Sequence, residues 1–133
     1  MKQIGMLLCA ALLMTACASP VMRDTGLDKF APRQAERDLS SGVRAYEDGK
    51  YRSAARLLQS ALSGGLLLTS DKVVAYKHLG FIHCAQSRQR ACRNAFREAL
   101  EIDPGLELTP AEAGHPMWGP VFKSVKRSMA KKR

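Results

Sequence analysis

The sequence predicts an all-α fold: two helical hairpins followed by a C-terminal capping helix. Three observations carry that expectation. Apolar residues recur at three- and four-residue spacing through most of the chain, which is the period of one helix face. No stretch alternates apolar and polar residues with a period of two, so no sheet is required. A set of positions also repeats 38 residues apart, the signature of a duplicated supersecondary unit. The chain has 133 residues, 46% hydrophobic and 25% charged, which suits one globular domain and excludes a disordered or collagen-like chain. Its net charge of +9 predicts an acidic counterpart.

The chain divides into four segments. Residues 1–16 read as a signal peptide, with Lys2 before an uncharged run from Ile4 to Met14 that is too short to span a bilayer. The order Leu13-Met14-Thr15-Ala16-Cys17 resembles a bacterial lipobox, in which the cysteine receives a diacylglycerol and becomes the new N-terminus. That resemblance implies lipidation at Cys17, and Ala18 in place of an aspartate implies passage to the outer membrane. The alternative is a plain secretory signal with an incidental cysteine. Removing residues 1–16, whose sole charge is Lys2, leaves 117 residues at +8. A secreted chain is seldom a nucleic-acid binder, so that class falls away. Residues 17–31 form a tether without sustained period.

Residues 32–104 hold the two hairpins. The first helix carries Ala35, Leu39, Gly42, Val43 and Tyr46 on one face and breaks at Glu47-Asp48-Gly49-Lys50. The second carries Tyr51, Ala54, Leu57, Leu58, Ala61 and Leu62 and stops at Gly64-Gly65, a pair suited to a left-handed C-cap. Leu66-Leu67-Leu68 is expected to pack over the helix ends. Ser70 or Asp71 is expected to cap the third helix, which runs through Val73, Val74, Tyr76, Leu79, Gly80 and Ile82. After a turn at residues 87–90, the fourth helix carries Cys92, Ala95, Phe96, Ala99 and Leu100 and closes before Pro104. Residues 105–133 form the capping segment. Thr109-Pro110-Ala111-Glu112 is a capping box ending by Gly114, and Val121, Phe122, Val125 and Met129 line one side of a final helix.

The hairpins are copies. Gly42, Ala54, Leu58, Ala61 and Leu62 return as Gly80, Cys92, Phe96, Ala99 and Leu100. The later copy, Tyr76-x-x-Leu79-Gly80-x-x-His83 then Cys92-x-x-x-Phe96-x-x-Ala99 and Pro104, resembles a tetratricopeptide repeat. Gly80 and the small residues facing it are expected to let the paired helices approach closely. Such repeats receive partners on the face of their first helices, which here implies Leu39, Val43, Tyr46, Lys77 and Phe81, with Trp118 as a further candidate contact; the alternative is that these side chains are core and the C-terminal helix fills the shallow groove. The alternative is any pair of α-hairpins in a small bundle.

Cys84 and Cys92 flank the turn between the third and fourth helices, close enough for a disulfide. They form a staple or sit as two buried thiols, and an oxidising compartment favours the staple. No CxxC motif points to redox chemistry. His78, His83 and His115 do not combine with the cysteines in a recognised zinc spacing, so no metal is expected. No catalytic constellation stands out, and the chain is not expected to be an enzyme or to hold a cofactor other than the lipid on Cys17. Arg52, Arg56, Arg90, Arg93 and Arg97 follow helical spacing on outer faces, where they solvate the surface or meet an anionic partner. Lys123, Lys126, Arg127, Lys131, Lys132 and Arg133 gather at the C-terminus without an acid among them, and either a solvated end, an anionic leaflet or an acidic protein fits them.

The lipobox, the paired helices, Phe81-Ile82-His83-Cys84 with Cys92-Arg93-x-x-Phe96, and the tail Gly114-His115-Pro116-x-Trp118-Gly119-Pro120-Val121-Phe122 together resemble a narrower group. It is similar to the TssQ-like tetratricopeptide lipoproteins associated with bacterial type VI secretion systems, over roughly residues 40–127. The resemblance implies a non-catalytic adaptor on the periplasmic face of the outer membrane, with envelope proteins and components of the secretion membrane complex as partners. The alternatives are a general envelope assembly lipoprotein and a thiol-disulfide protein using Cys84 and Cys92.

Overall fold

The computed structural model describes residues 33–132, which form α1 (Gln34–Glu47), α2 (Tyr51–Ser63), α3 (Thr69–Ala85), α4 (Gln89–Ile102), α5 (Pro110–Ala113) and α6 (Gly119–Ala130). The signal peptide at 1–16, Cys17, the tether at 17–31 and Arg133 lie outside the described residues. The architecture is an all-α bundle in which α1 pairs with α2, α3 with α4, and α5 with α6.

The two larger hairpins turn in the same way. At the first turn Gly49 has φ +73°, its N–H donates to the Tyr46 carbonyl at 2.9 Å, and the Lys50 N–H reaches back to Ala45 at 2.8 Å. This is the Schellman pattern, in which a left-handed residue lets two N–H groups satisfy the orphan carbonyls of a helix end. At the second turn Ser87, 38 positions later, has φ +59°, donates to Cys84 at 3.0 Å, and is followed by Arg88 donating to His83 at 2.8 Å. Each bond has its counterpart one repeat away.

The hairpin interfaces repeat as well. A Cβ placed on Gly42 would meet Leu58 at 2.9 Å, and one placed on Gly80 would meet the Phe96 ring at 2.4 Å. So the residue facing Gly80 is the large Phe96, not a small one as expected, and Gly42 faces Leu58 in the same way: the bare backbone of one helix is the floor on which the other's bulky side chain lies.

Two cores follow. Leu39, Leu58, Ala61, Leu79 and Ile82 fill the space between the hairpins. Phe81, Cys84, Cys92, Phe96, Leu100, Trp118, Phe122 and Val125 fill the space between the second hairpin and α6. Helix α3 serves both, which is why Phe81, His83 and Cys84 are buried along with the expected Val73, Leu79 and Ile82.

The expected cap of α3 is corrected. The cap position is Leu68 and carries no side-chain hydrogen bond, while Ser70 and Asp71 lie inside the first turn, where Asp71 complements the positive helix end. Of the three leucines before it only Leu66 packs inward; Leu67 and Leu68 are exposed. The backbone dictates this, because the Arg33 guanidinium donates to the Gly64 and Gly65 carbonyls and the Leu67 N–H donates to Glu36, fixing the loop against the start of α1.

Candidate functional site

The face of α1 and α3 that carries Tyr46, Lys77 and Phe81 is covered by the chain's own residues 112–118. The cover begins at the capping box, where the Glu112 N–H donates to Thr109 Oγ1 and the Thr109 N–H donates to Glu112 Oε2 at 2.9 Å. The other carboxylate oxygen of Glu112 accepts from Lys77 Nζ at 2.7 Å, and that ammonium also lies 5.6 Å from the centre of the Phe81 ring. Burial alone pushes the Glu112 carboxyl upward, but the bonds from Lys77 and Thr109 and the Lys77 charge outweigh it and hold its pKa below the usual glutamate value.

Next to this ion pair the Trp118 ring tilts over Phe81 at 4.8 Å between centroids, and His115 stacks on the indole at 3.3 Å. Ring contacts then run from Phe81 to Tyr46 at 6.1 Å and to Phe96 at 5.8 Å, and from Phe96 to Phe122 at 5.3 Å. Phe81 is 1% and Trp118 7% exposed. Both were named as candidate partner contacts of a kind more often found in a core, and in this fold they are buried, each supplying part of the other's apolar cover. Leu39 is likewise buried, and Val43 and Tyr46 are half-buried against the cores. Lys77, the charged side chain of this face, is engaged by Glu112.

Cys84 and Cys92 form a disulfide with Cα atoms 5.1 Å apart, joining the end of α3 to the start of α4. The histidines are dispersed: the His78 Nδ1–H donates to the Val74 carbonyl at 2.8 Å, His83 is buried near the disulfide, and His115 stacks on Trp118. Burial holds the pKa of His78 and of His83 below the usual histidine value. Among the described residues no three His, Cys, Asp or Glu side chains come together as metal ligands.

The C-terminal cations separate into two kinds. Lys123, Arg127, Lys131 and Lys132 are exposed. Lys126 is not part of an outward patch as expected: its ammonium donates to the Leu106 carbonyl at 2.8 Å and pairs with Glu107. Beside α6 lies a groove of about 340 Å3 whose lining includes Leu108, Ala113 and Phe122 with Lys123 and Arg127. The sequence reading missed this groove and the Lys77–Glu112 pair. The groove had no signal in the sequence, because only the fold brings Glu107, Leu108 and Ala113 beside α6. Arg52, Arg56, Arg90, Arg93 and Arg97 are exposed, and Arg97 donates to Asn94 within its own helix.

None of the described helices is long and apolar enough to cross a membrane. No protein-family model matches the sequence, and no curated protein or solved structure is similar to it at a significant level.

Proposed function

We propose that the chain is a non-catalytic adaptor of tetratricopeptide type, anchored by lipid on Cys17 at the periplasmic face of the outer membrane and accessory to a type VI secretion system. The observation that carries the repeat reading is the bond-for-bond equivalence of the turns at residues 45–50 and 83–88, together with the Gly42–Leu58 and Gly80–Phe96 contacts 38 residues apart. An amphipathic hairpin that cannot bury its own face, duplicated and closed by a terminal helix, is how short repeat arrays reach stability. The Cys84–Cys92 bond supports an oxidising compartment, as does the lipobox-like run at Leu13–Cys17.

The buried disulfide weighs against the thiol-exchange alternative. Exchange needs an accessible sulfur, and Cys84 is 3% and Cys92 0% exposed. The covered α1/α3 face moves partner binding to surfaces beyond it, chiefly α6 and the arginine-bearing faces of α2 and α4.

Two experiments test the reading separately. Labelled palmitate is expected to enter the wild-type chain in a bacterial host and not Cys17→Ala, with the wild type in the outer-membrane fraction; equal labelling of both overturns the anchor. Crosslinking in the envelope is expected to recover secretion membrane-complex components, and recovery of outer-membrane assembly components instead points to the general envelope lipoprotein.

A further inference from the structure

The cations of α6 do not lie on one plane. Lys123 and Arg127, one helical turn apart, stand at the edge of the groove, whose apolar lining is Leu108, Ala113, Phe122 and Ala130. The shape is set by backbone: a Cβ on Gly119 would meet the Ala113 carbonyl oxygen at 2.2 Å, so glycine alone lets α6 start this close to α5. No acidic residue follows Glu112, so Lys131 and Lys132 extend the positive field past the groove's end. The single acid in the lining, Glu107, is held by Lys126.

We propose that this groove docks an acidic amphipathic helix of a partner protein, with apolar side chains on the Leu108–Phe122 floor and carboxylates at four-residue spacing on Lys123 and Arg127. Charge selects the sign of the partner. The apolar floor selects its form. A helix that binds a bilayer does so by burying an apolar face among the lipids, and most of that face of α6 is already used: Val125 is buried in the second core, Val121 and Met129 pack against it, and Phe122, 3% exposed, adds only a little surface to the groove that it lines with Leu108, Ala113 and Ala130. A flat leaflet would reach the rim cations and leave the groove unfilled, whereas about 340 Å3 of open, apolar-floored space accepts one or two leucine-sized side chains. The proposal deepens the adaptor reading and rests on it for the occupant's being a protein; the Cys17 anchor plays no part in it.

The test uses the full chain and a fluorescein-labelled helical peptide bearing a leucine stripe flanked by glutamates at four-residue spacing, read by anisotropy. Binding is expected to weaken about tenfold or more in Lys123→Glu/Arg127→Glu, to fall as salt rises, and to vanish for a peptide with serines in place of the leucines. Ala130→Trp, which fills the groove without changing charge, is expected to lose binding as well, and circular dichroism checks that both variants are folded. Equal binding of the serine peptide means that charge alone acts and overturns the groove. No peptide binding, with retention on phosphatidylglycerol vesicles that Lys123→Glu/Arg127→Glu abolishes, assigns the cations to a membrane and also overturns it. Either failure leaves the palmitate and crosslinking results untouched, so it is distinguishable from failure of the adaptor reading.

Discussion

At Gly80 the lack of one carbon sets how close α3 and α4 come. The Phe96 ring that a Cβ would meet at 2.4 Å is itself held edge-on against Phe81 and Phe122, so it has no direction in which to yield. At Gly42 the contacts are longer, with Leu58 Cγ and Cδ2 at 2.9 Å and the Leu58 backbone nitrogen at 3.2 Å, so a smaller shift relieves them. Alanine is the better helix former by about 1 kcal/mol, yet Gly80→Ala is expected to destabilise by about 1–3 kcal/mol and Gly42→Ala by clearly less. Urea unfolding followed by circular dichroism measures both, and equal midpoints for the two variants would contradict the packing argument. Three titrating side chains, His78, His83 and Glu112, add a pH dependence with a definite sign. His78, half-buried, and His83, buried, both have pKa values below the usual one, so their contribution is complete above about pH 6.5 and is lost as pH falls through the lower folded values. Glu112 is also depressed, and its contribution, about 1 kcal/mol for a pair this sheltered, is complete above pH 4.5 and is lost below it. Stability is therefore expected to fall in two stages on acidification. Glu112→Gln removes the lower stage and His78→Gln with His83→Gln the upper, which unfolding midpoints at pH 7.5, 5.5 and 3.5 will read.

Between elements, the α3–α4 turn is the strained one, and the disulfide closes it. The α1–α2 turn places glycine at its left-handed position, with nothing within 4 Å of where a Cβ would be, so conformation alone selects the residue. The equivalent Ser87 carries a side chain into the same region at a cost of about 1 kcal/mol. The Cys84–Cys92 bond closes a loop across that turn with a separation of 8, which by chain entropy contributes about 2–3 kcal/mol. Reduction is expected to lower unfolding stability by about that amount without abolishing the fold, since Phe96, Ala99 and Leu100 still anchor α4, and Ser87→Gly is expected to restore about 1 kcal/mol of the loss. An unchanged midpoint under reductant would show that the bond merely records a geometry fixed by packing. The staple was legible in the sequence because two cysteines flanked a turn between two helices. The strain was not, because serine by itself gives no sign of positive φ; only its register with Gly49 reveals it.

Across the molecule, periodicity made α1, α2, α4 and α6 readable because each has one buried side. The same signal misled at α3, which lies between two cores and is apolar on nearly every side, so that Phe81 was placed on an open face. What closes that face is residues 105–119, a stretch without sustained period whose position depends on pairings far apart in sequence, Lys77 with Glu112 and Phe81 with Trp118. Those pairings make the C-terminal segment part of the fold. Ending the chain at Gly105 would uncover Phe81, Phe96 and Leu100 together, while Leu39, Leu58, Leu79 and Ile82 keep their packing between the hairpins. The truncated chain is expected to stay largely helical by far-ultraviolet circular dichroism, to bind a hydrophobic dye, and to melt broadly, because one of its two cores has lost a wall. Trp118→Ala isolates the same contact in the full chain and is expected to cost about 3–5 kcal/mol, or roughly 12–40 °C in Tm for a domain of this size. A truncated chain that melts as sharply and at the same temperature as the full one would mean that α6 is an appendage; it would then be free to leave the second hairpin and expose Phe81 and Tyr46 to a partner.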